Sequence, residues 1–226
     1  MTYRSVGFVQ NNGHTRSHIL DAALDRFAAC GYAGTSVSDI VGAARVTKPT
    51  LYYYFRNKAR LYQALVDSAH DGRFRLMQEA VKRGTTLEEQ LVEILTAIFD
   101  HARGHRALMR MTFATAFAAP DEVPKEVDCG RACERNFEFI HTLIKRGLKQ
   151  GALDRRFASK ELAFGIHGLM NIYLMAYVLM PECRLDRATA VRIVDLFLAG
   201  ASGKNSRPRA GKTQPKKSSR KTNIVK

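Results

Sequence analysis

The residues from Ser36 to Lys58 hold the most telling chemistry in this chain of 226. They read Ser-Val-Ser-Asp-Ile-Val-Gly-Ala-Ala-Arg-Val-Thr-Lys-Pro-Thr-Leu-Tyr-Tyr-Tyr-Phe-Arg-Asn-Lys. Thr47 has the type and place of a helix N-cap, and Pro49 is harmless in a first turn, where the amide has no helical partner. A helix N-terminus offers free amides and the positive end of a dipole, both of which favour a phosphate. Arg45, Lys48, Arg56 and Lys58 fall within fourteen residues with no acid between them. Thr50, Tyr52, Tyr53 and Tyr54 add hydroxyl donors and flat apolar faces that can pack on thymine methyls and reach base edges. Four aromatics in a row cannot share one face of a helix with about 3.6 residues per turn. With Leu51 and Phe55 inward, Thr50, Tyr53 and Tyr54 point mainly outward and Tyr52 stands at the edge. These groups suit a DNA groove and its phosphates.

The elements that position them are helical. Ile19, Ala23 and Phe27 line one face of a helix from Thr15, with Leu20 and Leu24 beside them, and Gly31 stops it. Ser36 with Asp39 resembles a capping box, with Asp in place of Glu or Gln, and opens a helix that buries Val37, Ile40 and Val41 and ends near Ala44. Asn57 caps a helix from Lys58 to about Val81. Further helices are expected over 86–102, 106–117, 124–149, 159–180 and 186–200, with breaks at Gly84, Gly104, Pro120, Gly151 and Pro181. No alternating strand pattern, hairpin turn pair or internal repeat stands out, so the class is all-α. The chain divides into a flexible arm at 1–13, a first domain at 14–60, a helical body at 61–202 and a disordered tail at 203–226.

The net charge is +15, and it sits at the ends. Residues 1–60 hold eight Lys/Arg against three acids, residues 61–202 nineteen against eighteen, and residues 203–226 nine against none. Basic ends point to an anionic partner, nucleic acid before membrane. The most apolar stretch, Leu162 to Met180, is broken by Gly165, His167, Gly168 and Asn171, and the N-terminus lacks the layout of a signal peptide, so a cytoplasmic protein without a membrane partner is expected. Cys30, Cys129, Cys133 and Cys183 are too few and scattered for a disulfide scaffold. Cys129 and Cys133 lie one helical turn apart, with no His or Cys pair of zinc spacing nearby, so no metal is expected.

From Ile19 to Ala69 the chain resembles the TetR family of bacterial transcription regulators. The resemblance rests on Ile19-Leu-Asp-Ala-Ala-Leu-Asp-Arg-Phe27, Gly31-Tyr-Ala-Gly-Thr-Ser36, Ile40-Val-Gly-Ala-Ala44, Val46-Thr-Lys-Pro-Thr-Leu-Tyr-Tyr-Tyr-Phe55 and Asn57-Lys58. It implies a three-helix head with a helix-turn-helix, then a six-helix body that binds a ligand and dimerises. It further implies phosphate contacts from Thr35, Ser36, Thr47, Lys48 and Lys58, with Pro49 in the same first turn. Thr50, Tyr52 and Tyr53 would lie in or beside the major groove, and Tyr54 near the backbone. The family usually has Gly where this chain has Arg45, a left-handed position that costs Arg more than Gly. Arg45 can repay that strain by touching phosphate.

By the same resemblance the partners are a palindromic double-stranded operator, a second copy docked through about 159–200, and an unidentified small-molecule effector, with no cofactor. The protein would be a repressor of the bacterial cytoplasm and nucleoid. Val191, Val194, Leu198 and Ala201 form a stripe suited to the dimer contact, and Gly165, Gly168 and Ala176 allow close helix approach. Phe113, Phe117, Phe137, His141, Phe164, His167, Asn171 and Met175 are the pocket candidates. Without Gly-x-Ser-x-Gly, a phosphate-binding glycine loop or His-Glu-x-x-His, no catalytic residue is nominated. An architectural DNA binder relying on its basic tail is the alternative.

Overall fold

The computed structural model describes residues 11–119, 122–180 and 182–201. Among them the chain forms nine α-helices and one 3-10 turn: α1 (Asn11–Cys30), α2 (Val37–Ala43), α3 (Lys48–Phe55), α4 (Lys58–Ala80), the turn Val81–Arg83, α5 (Leu87–Gly104), α6 (Arg106–Ala116), α7 (Gly130–Lys149), α8 (Ser159–Leu179) and α9 (Arg187–Ala201). The 203–226 tail and residues 1–10 of the expected arm lie outside the described residues. The rest of that arm, from Asn11, is already helical, so the helix starts earlier than the pattern from Thr15 indicates.

Two apolar cores organise the helices. In the first, Ile19, Ala23 and Phe27 of α1 meet Ile40 of α2, Leu51 and Phe55 of α3, Leu61, Tyr62, Leu65 and Val66 of α4, and Met111 of α6. The second centres on Leu91, Ile94, Leu95, Ile98 and Phe99 of α5, walled by α4, α7, α8 and α9. Each such large side chain, taken out of water, stabilises the fold by roughly 1.5–3 kcal/mol. The 23 residues of α4 span about 34 Å and contribute to both cores, so the first core runs past residue 60.

The helix ends obey local chemistry. Gly31 takes φ 71° and its amide donates to the Phe27 carbonyl at 2.9 Å, closing α1. Thr86 caps α5, and Glu89 Oε2 accepts from the Thr85 hydroxyl and from the amides of Thr85 and Thr86, bonds that hold its carboxyl down at about 2. The α7 span is corrected from 124 to a start at Gly130. Val123 and Val127 are anchored on the first core, and the Val127 amide turns back to the Pro124 carbonyl at 2.9 Å, so that stretch is a packed loop.

α8 runs unbroken much as the expected 159–180 span, and although Gly165, His167, Gly168 and Asn171 break its apolar run, by length and composition it is apolar enough to cross a membrane. In the fold it packs on α6, α7 and α9. Phe164, Gly168, Ile172 and Leu179, at near-helical spacing, stay exposed along one stripe. On α9, Val194 and Ala201 are buried in the body's own core, which removes them from the expected dimer stripe. Gly165 faces the ring of Phe197 in the same chain. Val191 and Leu196 are the large exposed apolar residues of α9.

Candidate functional site

α2 and α3 are joined by a turn whose bonds are all local. The Val46 amide donates to the Val41 carbonyl at 3.0 Å and the Arg45 amide to the Gly42 carbonyl at 3.3 Å. These two bonds are those of a Schellman stop, with Arg45 at the left-handed position at φ 49°. The same pattern ends α7, where Gly151 fills the position at φ 76°. Arg45 therefore holds a conformation that Gly would take without strain. A second strained residue follows α3: Arg56 has φ 60° and ψ −45°, and the Asn57 amide donates to the Phe55 carbonyl at 2.6 Å, a tight γ-turn. Sequence reading missed Arg56, because Arg gives no local signal for positive φ.

Thr47 caps α3 as expected. Its Oγ1 accepts from the Thr50 amide at 3.3 Å and lies 2.8 Å from the Thr50 hydroxyl. Leu51 and Phe55 are buried, whereas Tyr53 is 74% exposed and Tyr52 45%. Thr50 and Tyr54 are half-buried, so Tyr54 rather than Tyr52 stands at the edge, where its ring meets Tyr53 edge-on at 5.1 Å. Arg45, Lys48, Pro49, Arg56 and Arg60 are exposed. Among the described residues no carboxylate pairs with any of the four cations. The outer face of α3 is thus aromatic and hydroxylated, and its surroundings carry free positive charge.

Three of the expected phosphate contacts are engaged within the fold. Thr35 is buried, and its hydroxyl donates within α1 and its turn, 2.8 Å from the Gly31 carbonyl and 3.2 Å from that of Arg26. Ser36 is spent in the capping box: its hydroxyl accepts from the Asp39 amide at 3.1 Å, and its amide donates to Asp39 Oδ2 at 2.8 Å. Those bonds hold the Asp39 carboxyl below the usual range, which keeps a negative charge at this helix end. Lys58 Nζ donates to the carbonyls of Tyr32 at 2.9 Å and Thr35 at 2.8 Å and lies 4.0 Å from the centre of the Tyr32 ring. It is a strut between α4 and the α1–α2 turn, and burial pulls its pKa down.

The body holds a cavity of about 230 Å³. Of the pocket candidates, Phe113, Phe117, His167 and Asn171 line it. Phe137, Phe164, Met175 and His141 do not. Phe137 stacks on Phe164 at 4.6 Å toward the outer face of α8, and His141 lies 2.9 Å from the Ser159 hydroxyl. The cavity's polar wall went unforeseen: His70, Arg73, His101 and Asn136. Arg73 gave a readable signal, since it continues the buried i, i+4 row of Leu65 and Ala69 toward Met77. Arg73 Nη2 donates to Asn171 Oδ1 at 2.9 Å, and Asn171 Nδ2 lies 3.3 Å from His167 Nδ1. Burial, with the Arg73 charge second, pushes His167 down to about 4 and leaves it neutral at pH 7.

Cys129 and Cys133 have no His or Cys pair of zinc spacing near them in the sequence, but the fold brings one distant histidine to them. Packing of α4 against α7 brings His70 Nε2 to 3.8 Å from Cys133 Sγ, and one ligand atom from each of these three residues falls within 4.8 Å of the others. Burial, then Cys129, pushes the Cys133 thiol up to about 11, so it is protonated at neutral pH. All four cysteines are free.

Residues 19–65 match the model of the bacterial regulatory proteins of the tetR family. The chain is 46% identical to the probable HTH-type transcriptional regulator ArpR of Pseudomonas putida, the match covering 59% of this chain and 80% of that protein. It is 24% identical to the HTH-type transcriptional regulator AcrR of Shigella flexneri, over 76% of this chain and 82% of that one. Among solved structures, the transcriptional regulator FadR of Bacillus subtilis in complex with stearoyl-CoA superposes with a TM-score of 0.69 at 20% identity, covering 81% of this chain and 98% of that chain. The chain belongs to the tetR family of bacterial regulatory proteins and is a sequence-specific DNA-binding transcriptional regulator.

Proposed function

We propose that the protein is a repressor that grips an inverted-repeat operator as a homodimer and releases it when a small molecule fills the body cavity. The DNA-binding head is α1–α3. Tyr52, Tyr53 and Thr50 read base edges and methyls, Tyr54 lies near the backbone, and Arg45, Thr47, Lys48 and the first turn with Pro49 meet phosphate. The second copy docks on the exposed stripe Phe164, Ile172 and Leu179 of α8, with Val191 and Leu196 of α9. An open apolar face of this kind on a soluble monomer marks a contact surface. The similarity to bacterial transcriptional regulators supports a cytoplasmic location.

One observation carries the ligand response: the helix that walls the cavity also builds the head. Ala69, His70, Arg73 and Leu76 of α4 line the cavity, while Leu61, Tyr62, Leu65 and Val66 of the same helix sit in the head core. α6 repeats the link, with Met109 and Phe113 at the cavity, Met111 in the head core, and the Thr115 hydroxyl 2.7 Å from that of Tyr62. A ligand that favours one pose of α4 and α6 shifts the spacing of the two heads, and with it the fit to half-sites about one helical turn apart or a multiple of it. The FadR structure solved with stearoyl-CoA supports a small-molecule effector in such a body.

Selecting bound sequences from a random DNA pool with the purified full chain tests this reading. An enriched inverted repeat bound by two copies is expected. A pool that stays random, or a half-site bound by one copy, sinks it.

A further inference from the structure

We propose that the cavity takes an amphiphilic carboxylate, with the anionic head on the Arg73 guanidinium and the apolar body among Leu76, Ile98, Phe113 and Leu174. The inference rests on reading the cavity as the effector site and adds the ligand's charge and shape to it.

The cavity contains a positive charge that the chain does not balance. Arg73 Nη2 bonds to the neutral amide oxygen of Asn171 and approaches the weak acceptor Met170 Sδ at 3.5 Å. Its Nε is shut away from solvent without an acceptor. Among the described residues no Asp or Glu oxygen lies within 4.0 Å of it. Burial pulls Arg73 down to about 10, still fully charged at neutral pH. Arg73 is half-buried with its Nε wholly enclosed, and a cation so desolvated without a counter-ion is costly, since buried charges are normally paired.

The polar neighbours offer no anion either. Asn136 is buried with its Oδ1 unpartnered, and its Nδ2 donates to the His70 carbonyl at 3.2 Å. His70, His101 and His167 are neutral or cationic at any pH, never negative. A carboxylate is the group that a guanidinium binds most strongly, through two parallel charge-assisted bonds. Apart from Thr112 and Cys133 the rest of the wall is apolar, and it includes Phe117, which is 76% exposed. A volume of about 230 Å³ lies below the usual range of about 300–1,000 Å³ for drug-sized sites, so the body of the ligand is compact.

The test uses the full chain and two matched pairs: octanoate with octanamide, and 2-naphthoate with 2-naphthamide. Each is titrated calorimetrically, and release of selected operator DNA is followed in parallel. At least one carboxylate should bind about tenfold or more tightly than its amide. In Arg73→Met that preference should vanish, with amide binding kept or improved. Amides that bind as well as their acids overturn the inference, and so does a lack of binding by both acids. The wild-type comparison decides even if the variant fails to fold. Amides that bind as tightly as their acids and release DNA would overturn the carboxylate and leave the effector site standing. A carboxylate bound through Arg73 that leaves DNA affinity unchanged would support the anion site and overturn its role as effector site.

Discussion

Lys58 Nζ lies 2.8 Å from the carbonyl oxygen of Thr35, a residue 23 positions earlier, and this bond ties the start of α4 to the turn before α2. α3 is held between those two points. The positive charge that looks made for phosphate is engaged within the fold, where it braces the two ends of α3.

Lys58→Met should therefore act on the fold before it acts on DNA. Two charge-assisted bonds to carbonyls disappear, at a cost of about 1–3 kcal/mol. Thermal unfolding should come at lower temperature, while the slope of log affinity against log salt stays at its wild-type value. Lys48→Ala should do the reverse, keeping the melting temperature and lowering that slope by about one. A Lys58→Met protein of unchanged stability with a reduced salt slope would return Lys58 to the phosphate contacts.

Arg45→Gly separates strain from binding. At φ 49° glycine relieves left-handed strain, and the head should gain up to about 1 kcal/mol against denaturant. Affinity should fall on selected and random DNA alike, because a phosphate contact carries no sequence information. A less stable variant would show that Arg45 holds the turn by contacts of its own.

The histidines of the cavity set a direction for pH. His167 has its folded pKa at about 4, below the ordinary 6.5, chiefly through burial, and His70 and His101 are lowered for the same first reason. As pH falls below about 6.5 the unfolded chain takes up protons before the folded one does. Stability is whole above that pH and drains toward pH 4, by at most about 3 kcal/mol for His167. Denaturant melts from pH 7.5 to 4.5 check this, and His167→Gln should flatten the decline. An equal decline in that variant would assign it to other groups.

The dimer face is testable by charge. Ile172→Glu with Leu196→Glu puts two carboxylates into the proposed contact, on side chains already exposed in one copy. Helical content should persist while sedimentation shows monomers and the selected site is lost. A stable dimer in the double variant would move the contact elsewhere.

The sequence revealed what depends on near neighbours. The Thr47 cap, the Ser36–Asp39 box, the Gly31 stop and the inward pair Leu51 and Phe55 are decided within four residues, and the structure has each of them. What stayed hidden depends on distant packing. An exposed-looking Lys58 or Thr35 carries no mark of the carbonyls it will meet 23 residues away or across a turn. Phe137 and Phe164 are as apolar as Phe113, and only the approach of α7 to α8 decides which rings face the cavity. Arg73 was visible as a cation on an apolar row, but its missing counter-ion is a property of every helix around it. The meeting of His70 with Cys133 spans 63 positions and had no local trace.

The central claim is that the exposed tyrosine face of α3 reads sequence. It is tested most directly by measuring wild type and Tyr53→Ala on the selected operator and on random DNA at one salt concentration. The wild type should prefer the operator by about a thousandfold or more. Tyr53→Ala should lose about ten- to a hundredfold on the operator and little on random DNA. Equal losses on both DNAs, or no preference in the wild type, would contradict it.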